Sequence, residues 1–321
     1  MIFFVTVLRA LACLLITNSH YTGVYPTDLI ANGGLIGDIL FFAVSGYCLY
    51  NVKSNFAKWY GKRLWRIYLP LIIITVIYIL SGNYSLSENN LFWWLVFPTY
   101  YHFITSIVIL YIPYFIILKF DLLKSRIPLI MLVIFGFAVL YYVFFYDKSY
   151  YHIDTVREPF IRILFFESML LGAYFKQNDA NYRNQRKGIV LNIVFLFISF
   201  MVYFASKLFF SKLQSFSKLQ IVNQIFIFVL LYFILKVFSS IDAKLSNLPK
   251  FLKGLISFIA DITLEVYLVQ YVLIDVIKPH FSFPINWVLI TVSIIVAACL
   301  LHVVCKFTYR FFENKLHFSK K

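Results

Sequence analysis

The sequence is short of charge. Only 13% of its 321 residues are Asp, Glu, Lys or Arg, and acidic residues number 14 against 29 basic ones. A soluble domain carries about a quarter charged residues, so the composition excludes the ordinary water-soluble enzyme and signalling classes. Cysteine is scarce too. Cys13, Cys48, Cys299 and Cys305 lie inside apolar stretches with no CxxC spacing. That excludes a disulfide framework and a zinc site, implies no metal centre, and reads as four buried reduced thiols. Proline and glycine, nine and eleven residues, mark no linker, and no internal repeat is visible, so residues 1–321 read as one domain. Period-two alternation is missing, which excludes a β-barrel.

Long apolar runs take the place of what is missing. Hydrophobic residues make up 62% of the chain and the mean hydropathy is +0.83. Runs long enough to cross a bilayer as helices, about 17–25 residues each, fall near 2–20, 30–50, 64–80, 102–118 and 127–146. Five more fall near 160–176, 188–207, 219–238, 255–277 and 286–306. Lipid cannot satisfy exposed backbone groups, so these runs must be helical. The expectation is an all-α, polytopic membrane bundle of about ten transmembrane helices. The stretch 91–98 is too short to span and reads as interfacial, with Trp93, Trp94, Tyr100 and Tyr101 as an aromatic belt. Arg9 lies within the first run instead of before it, and Ala10-Leu11-Ala12 comes too early for a cleavage site, so that run reads as a retained helix and not a signal peptide.

A net charge of +15 on a soluble face would suggest nucleic acid, but here the basic residues fall between apolar runs. That excludes a nucleic-acid partner and points to topology first, then to anionic ligands and membrane lipids. Assigned to alternate connections, 21 basic residues lie on one side and 6 on the other, with Arg9 and Arg162 inside the spans. The lysines at 207–218 are the weakest part of that split. Positive-inside reasoning places both termini in the cytoplasm. A vocabulary rich in Phe, Ile, Lys and Asn suggests an AT-rich bacterial genome and hence a bacterial inner membrane.

Ionisable groups inside a bilayer are costly and are functional candidates by default. Arg9 and His20 are eleven residues apart, which on a helix returns to within about 20° of one face with a rise of roughly 16 Å. Asp38, a few residues into the second run, can approach His20 from the same end. A carboxylate there would orient an imidazole and stabilise its cation. Ser45, two turns deeper on roughly the same face, either lines a channel or serves as a nucleophile; the lining role is favoured. At the start of the third span, Arg63 and Arg66 are three apart and share a face, with planar forks suited to phosphate. By spacing alone an ordinary positive-inside anchor explains them better. Arg162 could face an acceptor cavity. Glu265 could line a cavity; Asp261 and Glu265, on one face of the ninth span, could more simply neutralise interior arginines. His302 reads as packed, and His152, His280 and His317 as exposed. Asn192, Asn223 and Gln224 read as hydrogen-bonding between helices.

These residues occur within longer motifs. Arg9 and His20, then Gly37-Asp38-Ile39-Leu40-Phe41-Phe42-Ala43-Val44-Ser45-Gly46-Tyr47, resemble the opening of the acyltransferase type 3 family of integral membrane enzymes. Arg63-Leu64-Trp65-Arg66-Ile67-Tyr68-Leu69-Pro70 resembles that family's basic third-helix motif. Phe103-Ile104-Thr105-Ser106 with Tyr111-Ile112-Pro113, Arg162 with Phe165, Phe166 and Gly172, and Leu264-Glu265-Val266-Tyr267-Leu268-Val269-Gln270 resemble three later motifs, in the family's order. The resemblance runs from residue 8 to about 275. His102 stands where the family often has Trp and Gln270 where it often has His, so no catalytic role is carried over to Gln270. The chain stops soon after the tenth run, without the hydrolase-like extracytoplasmic domain of some relatives.

The resemblance implies transfer of an acyl group, usually acetyl, from cytoplasmic acyl-CoA to a hydroxyl of a cell-surface glycan or its lipid-linked precursor. Acetyl-CoA would be a donor substrate; no permanently bound cofactor is expected. On this reading Arg63 and Arg66 hold CoA phosphates, and the pantetheine arm enters past Arg9. His20 acts as general base or acyl carrier, Asp38 orients it, and Arg9 stabilises an oxyanion or grips the arm. Two other classes compete. A transporter or lipid-linked glycan flippase would share the hydropathy but often shows paired repeats and broken helices. A structural subunit would leave Arg9 and His20 without a purpose.

Overall fold

The computed structural model describes residues 2–87, 92, 101–155, 159–185 and 187–318, the last seven of these as backbone alone. It is about 80% helical, with no strand among the described residues. The longer helices are α1 (Phe3–Ser19), α2 (Gly34–Leu49), α3 (Phe56–Leu80), α4 (His102–Lys119), α5 (Ile127–Phe144) and α6 (Pro159–Gln177). They continue as α7 (Ile189–Lys212), α8 (Ile221–Ser240), α9 (Lys250–Asp261), α10 (Thr263–Ile277) and α11 (Ile285–Phe318). Six of them, α3, α4, α5, α7, α8 and α11, are long and apolar enough to cross a bilayer. With so many such helices the chain is a multi-pass membrane protein. The short stretch expected at the interface, with Trp93, Trp94 and Tyr100, lies outside the described residues apart from Phe92.

Three expectations need correction. The run 255–277 is not one helix: it breaks at Ile262, where ψ is 11° instead of helical. Thr263 supplies the physical reason, since its hydroxyl donates back to the carbonyls of Ile259 and Ala260 and satisfies the end of α9 locally. The basic 51–66 stretch is not a loop either. Helix α3 starts at Phe56, where the Asn55 side chain accepts from the Lys58 amide at 3.1 Å. Finally, the cysteines are free as expected, but Cys48 is exposed and Cys299 only half-buried. An apolar sequence neighbourhood does not distinguish a core-facing from a lipid-facing position.

Helix α2 runs through the centre, against α1 on one side and α6 on the other. A Cβ added to Gly172 would lie 1.8 Å from the Ala43 carbonyl oxygen, and one added to Gly46 would lie 2.0 Å from that of Met169. The two backbones therefore touch, each through the other's glycine. Close approach through small residues is how helices gain dispersion contacts where lipid supplies no hydrophobic drive. Phe42 and Phe165 stack at 4.3 Å beside the crossing.

Polar contacts sort the connections into two ends. At one end the Phe4 amide donates to Asp242 at 2.7 Å, a carboxylate at the positive end of α1. Tyr47 donates to Asp179, the Ala243 amide to Asn184, and Tyr309 to the Arg66 carbonyl at 3.0 Å. At the other end Ser217 donates to the Lys148 carbonyl at 2.6 Å, and Lys207 lies 3.5 Å from Asp154. The buried Gln220 accepts from the amides of His152 and Ile153 and donates to the Tyr150 carbonyl, each at 2.9 Å. Lys207, Lys148 and Lys218 thus gather at one end, as the charge split expects. His152 is not an exposed loop residue: it is buried, stacked between Tyr146 and Tyr150.

Candidate active site

The geometry builds outward from α1. Arg9 sits in its second turn, half-buried, and Nη2 donates to the Ala260 carbonyl at 2.7 Å. That carbonyl belongs to the last turn of α9, whose negative end favours a cation. His20 caps the far end of α1 with φ −85° and ψ −6°, so the helical direction carries through it. Its Nε2 lies 3.2 Å from the Tyr271 hydroxyl, with ring centroids 4.5 Å apart. Ala260 and Tyr271 are themselves eleven residues apart, in the same order as Arg9 and His20. Helix α1 and the 260–271 segment therefore run parallel, and one pair of partners sets the depth of both side chains.

Tyr271 is a residue that the sequence reading missed. Its only signal was its place four residues after Tyr267, on one face of α10. Around it Tyr101, Tyr267 and Tyr271 form an aromatic wall with centroids 5.8–6.0 Å apart. Tyr101 is buried there, donating to the Leu268 carbonyl at 3.1 Å, and is not an interfacial belt residue.

Asp38 lies in the second turn of α2, half-buried, and interacts electrostatically with Tyr267. No hydrogen bond or ion pair reaches its carboxylate among the described residues, so none joins it to His20. Arg162, near the start of α6, is half-buried with its Nε unpaired, and no acidic partner reaches it among the described residues. A carboxylate and a guanidinium within apolar helices, each without a protein partner among the described residues, are unusual.

A cavity of about 10 Å³, with room for one water at most, lies beside α1 between the turns that carry Arg9 and His20, bounded by Cys13, Thr17, Phe41, Phe103 and Tyr267.

The basic motif lies at the other end. Arg63 folds back along α3, its guanidinium carbon 3.8 Å from the Trp59 ring centroid and Nη1 donating to the Trp59 carbonyl at 2.5 Å. Arg66 is exposed. Trp59 also meets Tyr111 edge-on, and the Tyr111 hydroxyl lies 3.4 Å from Ser45 Oγ. Ser45 is thus linked through two aromatic rings to Arg63, and no base among the described residues hydrogen-bonds it as a nucleophile would require.

Glu265 is buried and engages no arginine. Its Oε1 lies 2.8 Å from His302 Nδ1, a pair between α10 and α11. The break at Ile262 separates it from Asp261, which is exposed at the end of α9, so the two do not act on one helix face. No cluster of three metal-ligating side chains occurs among the described residues.

Comparison with known proteins gives one match. An acyltransferase domain model, that of the acyltransferase type 3 family, matches residues 2–307. No curated protein and no solved structure matches the chain. The matched range holds Arg9, His20, Asp38, Arg63, Arg66, Arg162 and Glu265 and covers nearly the whole sequence. The chain belongs to the acyltransferase type 3 family.

Proposed function

We propose that this protein is a bacterial inner-membrane O-acyltransferase with ten crossings and both termini in the cytoplasm. It moves an acetyl group from cytoplasmic acetyl-CoA to a hydroxyl of a cell-surface glycan or its lipid-linked precursor. The observation that carries this reading is the α1 pairing: Arg9 and His20 held at two depths by Ala260 and Tyr271, with the Arg63–Arg66 motif at the opposite end from His20.

In this reading Arg66, with Arg63 once it swings off Trp59, binds the CoA phosphates. The pantetheine arm passes Arg9 and carries the thioester toward His20. With Nε2–H donating to the Tyr271 oxygen, the lone pair of His20 lies on Nδ1, which accepts the acceptor's proton. The acceptor oxygen then attacks the thioester carbonyl, the C–S bond breaks, and the thiolate leaves, taking the proton back from His20. Acetylation of His20 before the acceptor arrives is the alternative order. Asp38, without a protein partner, offsets the imidazolium charge. Arg9 retains guanidinium donors beyond the one given to Ala260 and can meet the oxyanion.

Purified protein in nanodiscs, given radiolabelled acetyl-CoA and membrane glycan from a host lacking the gene, tests this reading. Label should pass to the glycan with the wild type and not with His20→Ala. Translocation of a lipid-linked glycan without label transfer would favour the flippase class instead.

A further inference from the structure

A second cavity, distant from α1, lies between α5, α6 and α8. It encloses about 350 Å³, at the scale of small-molecule sites, and none of its lining residues belongs to the path described above. Its walls are apolar, with Met131, Phe135 and Phe228 among them, and Leu132 and Ile225 on its rim are exposed on the bundle's outer face. Two polar side chains interrupt this lining. Glu167 is 7% exposed and Gln224 6% exposed, and each has a side-chain oxygen with no hydrogen-bond partner. The Gln224 amide nitrogen is directed to the Ile153 carbonyl at 3.4 Å, which leaves its oxygen for something else. No ion pair or hydrogen bond reaches the Glu167 carboxylate among the described residues.

Unpaired oxygens buried in an apolar wall are expensive. The Gln224 oxygen accepts, and a carboxyl accepts or, when protonated, donates, so the complementary occupant carries groups that do both, as hydroxyls do. Carboxyl torsions are broad and twofold, so Glu167 can turn an oxygen into the cavity at little cost. The polar pair lies partway along the cavity, with Ala138, Phe160 and Ile221 on one side of it and Pro128, Met131 and Phe228 on the other.

We propose that this cavity binds a neutral lipid whose head carries free hydroxyls, the chain packing on Met131, Phe135 and Phe228 and the hydroxyls hydrogen-bonding to Glu167 and Gln224. It is independent of the transfer reaction and stands whether or not that reaction is correctly assigned.

The probe is a monoacylglycerol with a photoactivatable diazirine in its chain, applied to the full-length protein in nanodiscs, with labelled peptides mapped by mass spectrometry. Labels should fall within 128–138, 160–167 or 221–229 and be competed by unlabelled monoacylglycerol. The corresponding methyl ester, which has no hydroxyl, should compete poorly. Gln224→Leu and Glu167→Leu should each lower labelling about fivefold, the worth of one hydrogen bond. Leu132→Trp, which fills the cavity from its exposed rim, should abolish labelling without touching a polar group, and decides the matter if a polar variant fails to fold. Equal competition by the ester, preferential capture of a long-chain amine, or labelling indifferent to Gln224→Leu and Leu132→Trp would overturn the proposal.

Discussion

The imidazole of His20 and the phenol of Tyr271 meet at 3.2 Å between Nε2 and the hydroxyl, edge to face, on helices that run parallel. Eleven residues earlier in each segment, across the break at Ile262 in the second, Arg9 donates to the Ala260 carbonyl at 2.7 Å. The register of α1 against α9 and α10 therefore sets both side chains together. Tyr271→Phe removes the hydroxyl and keeps the ring. Losing one neutral hydrogen bond should lower kcat about tenfold or less, with KM for acetyl-CoA unchanged. Initial-rate kinetics on the purified variant separate the two constants.

Arg9 should prove more important for the reaction than for the fold. The Ala260 carbonyl also accepts from the Thr263 hydroxyl at 2.9 Å, so Arg9→Ala leaves it satisfied. Transfer should fall about 10²- to 10³-fold, the loss associated with an oxyanion donor, while thermal melting in detergent shifts little. Arg9→Lys keeps the charge but not the fork, and should recover only part of the rate.

At the other end, Arg66→Gln should weaken acyl-CoA binding because an exposed guanidinium loses its phosphate contact. Calorimetric titration with CoA should show the loss growing at low ionic strength, where charge is least screened. Arg63→Gln should act twice, on donor affinity and on the Trp59 stack. Unchanged CoA affinity in both variants would remove the basic motif from the donor site.

The α2–α6 crossing makes a separate prediction about assembly. Gly172→Val places methyl groups where the Ala43 carbonyl oxygen already stands. Overpacking of that kind costs typically about 1–3 kcal/mol, and here it would push apart the helices that carry Asp38 and Arg162. Yield of folded protein by fluorescence-detected gel filtration should drop sharply, with Gly172→Ala intermediate.

The apolar runs were legible because a bilayer demands continuous helix, and nine of the ten expected runs contain one long helix. Arg9 and His20 were legible as a pair because helical periodicity alone puts them on one face. Other features left no such mark. The break at Ile262 has no proline or glycine to announce it and arises from the Thr263 hydroxyl returning to α9. Tyr271 lies 251 positions from His20, and Glu265 finds His302 across 37. The burial of His152 depends on Gln220, 68 residues away. Periodicity reports which residues share a helix face, whereas helix pairing decides what that face meets.

The central claim is that His20, positioned by Tyr271, transfers the acyl group. Its most direct test is mass analysis of surface glycan from cells expressing wild-type, Tyr271→Phe and His20→Ala protein at matched membrane levels. The glycan should carry the acetyl group with the wild type, carry less with Tyr271→Phe, and carry none with His20→Ala. Full acetylation in the His20→Ala strain would contradict it.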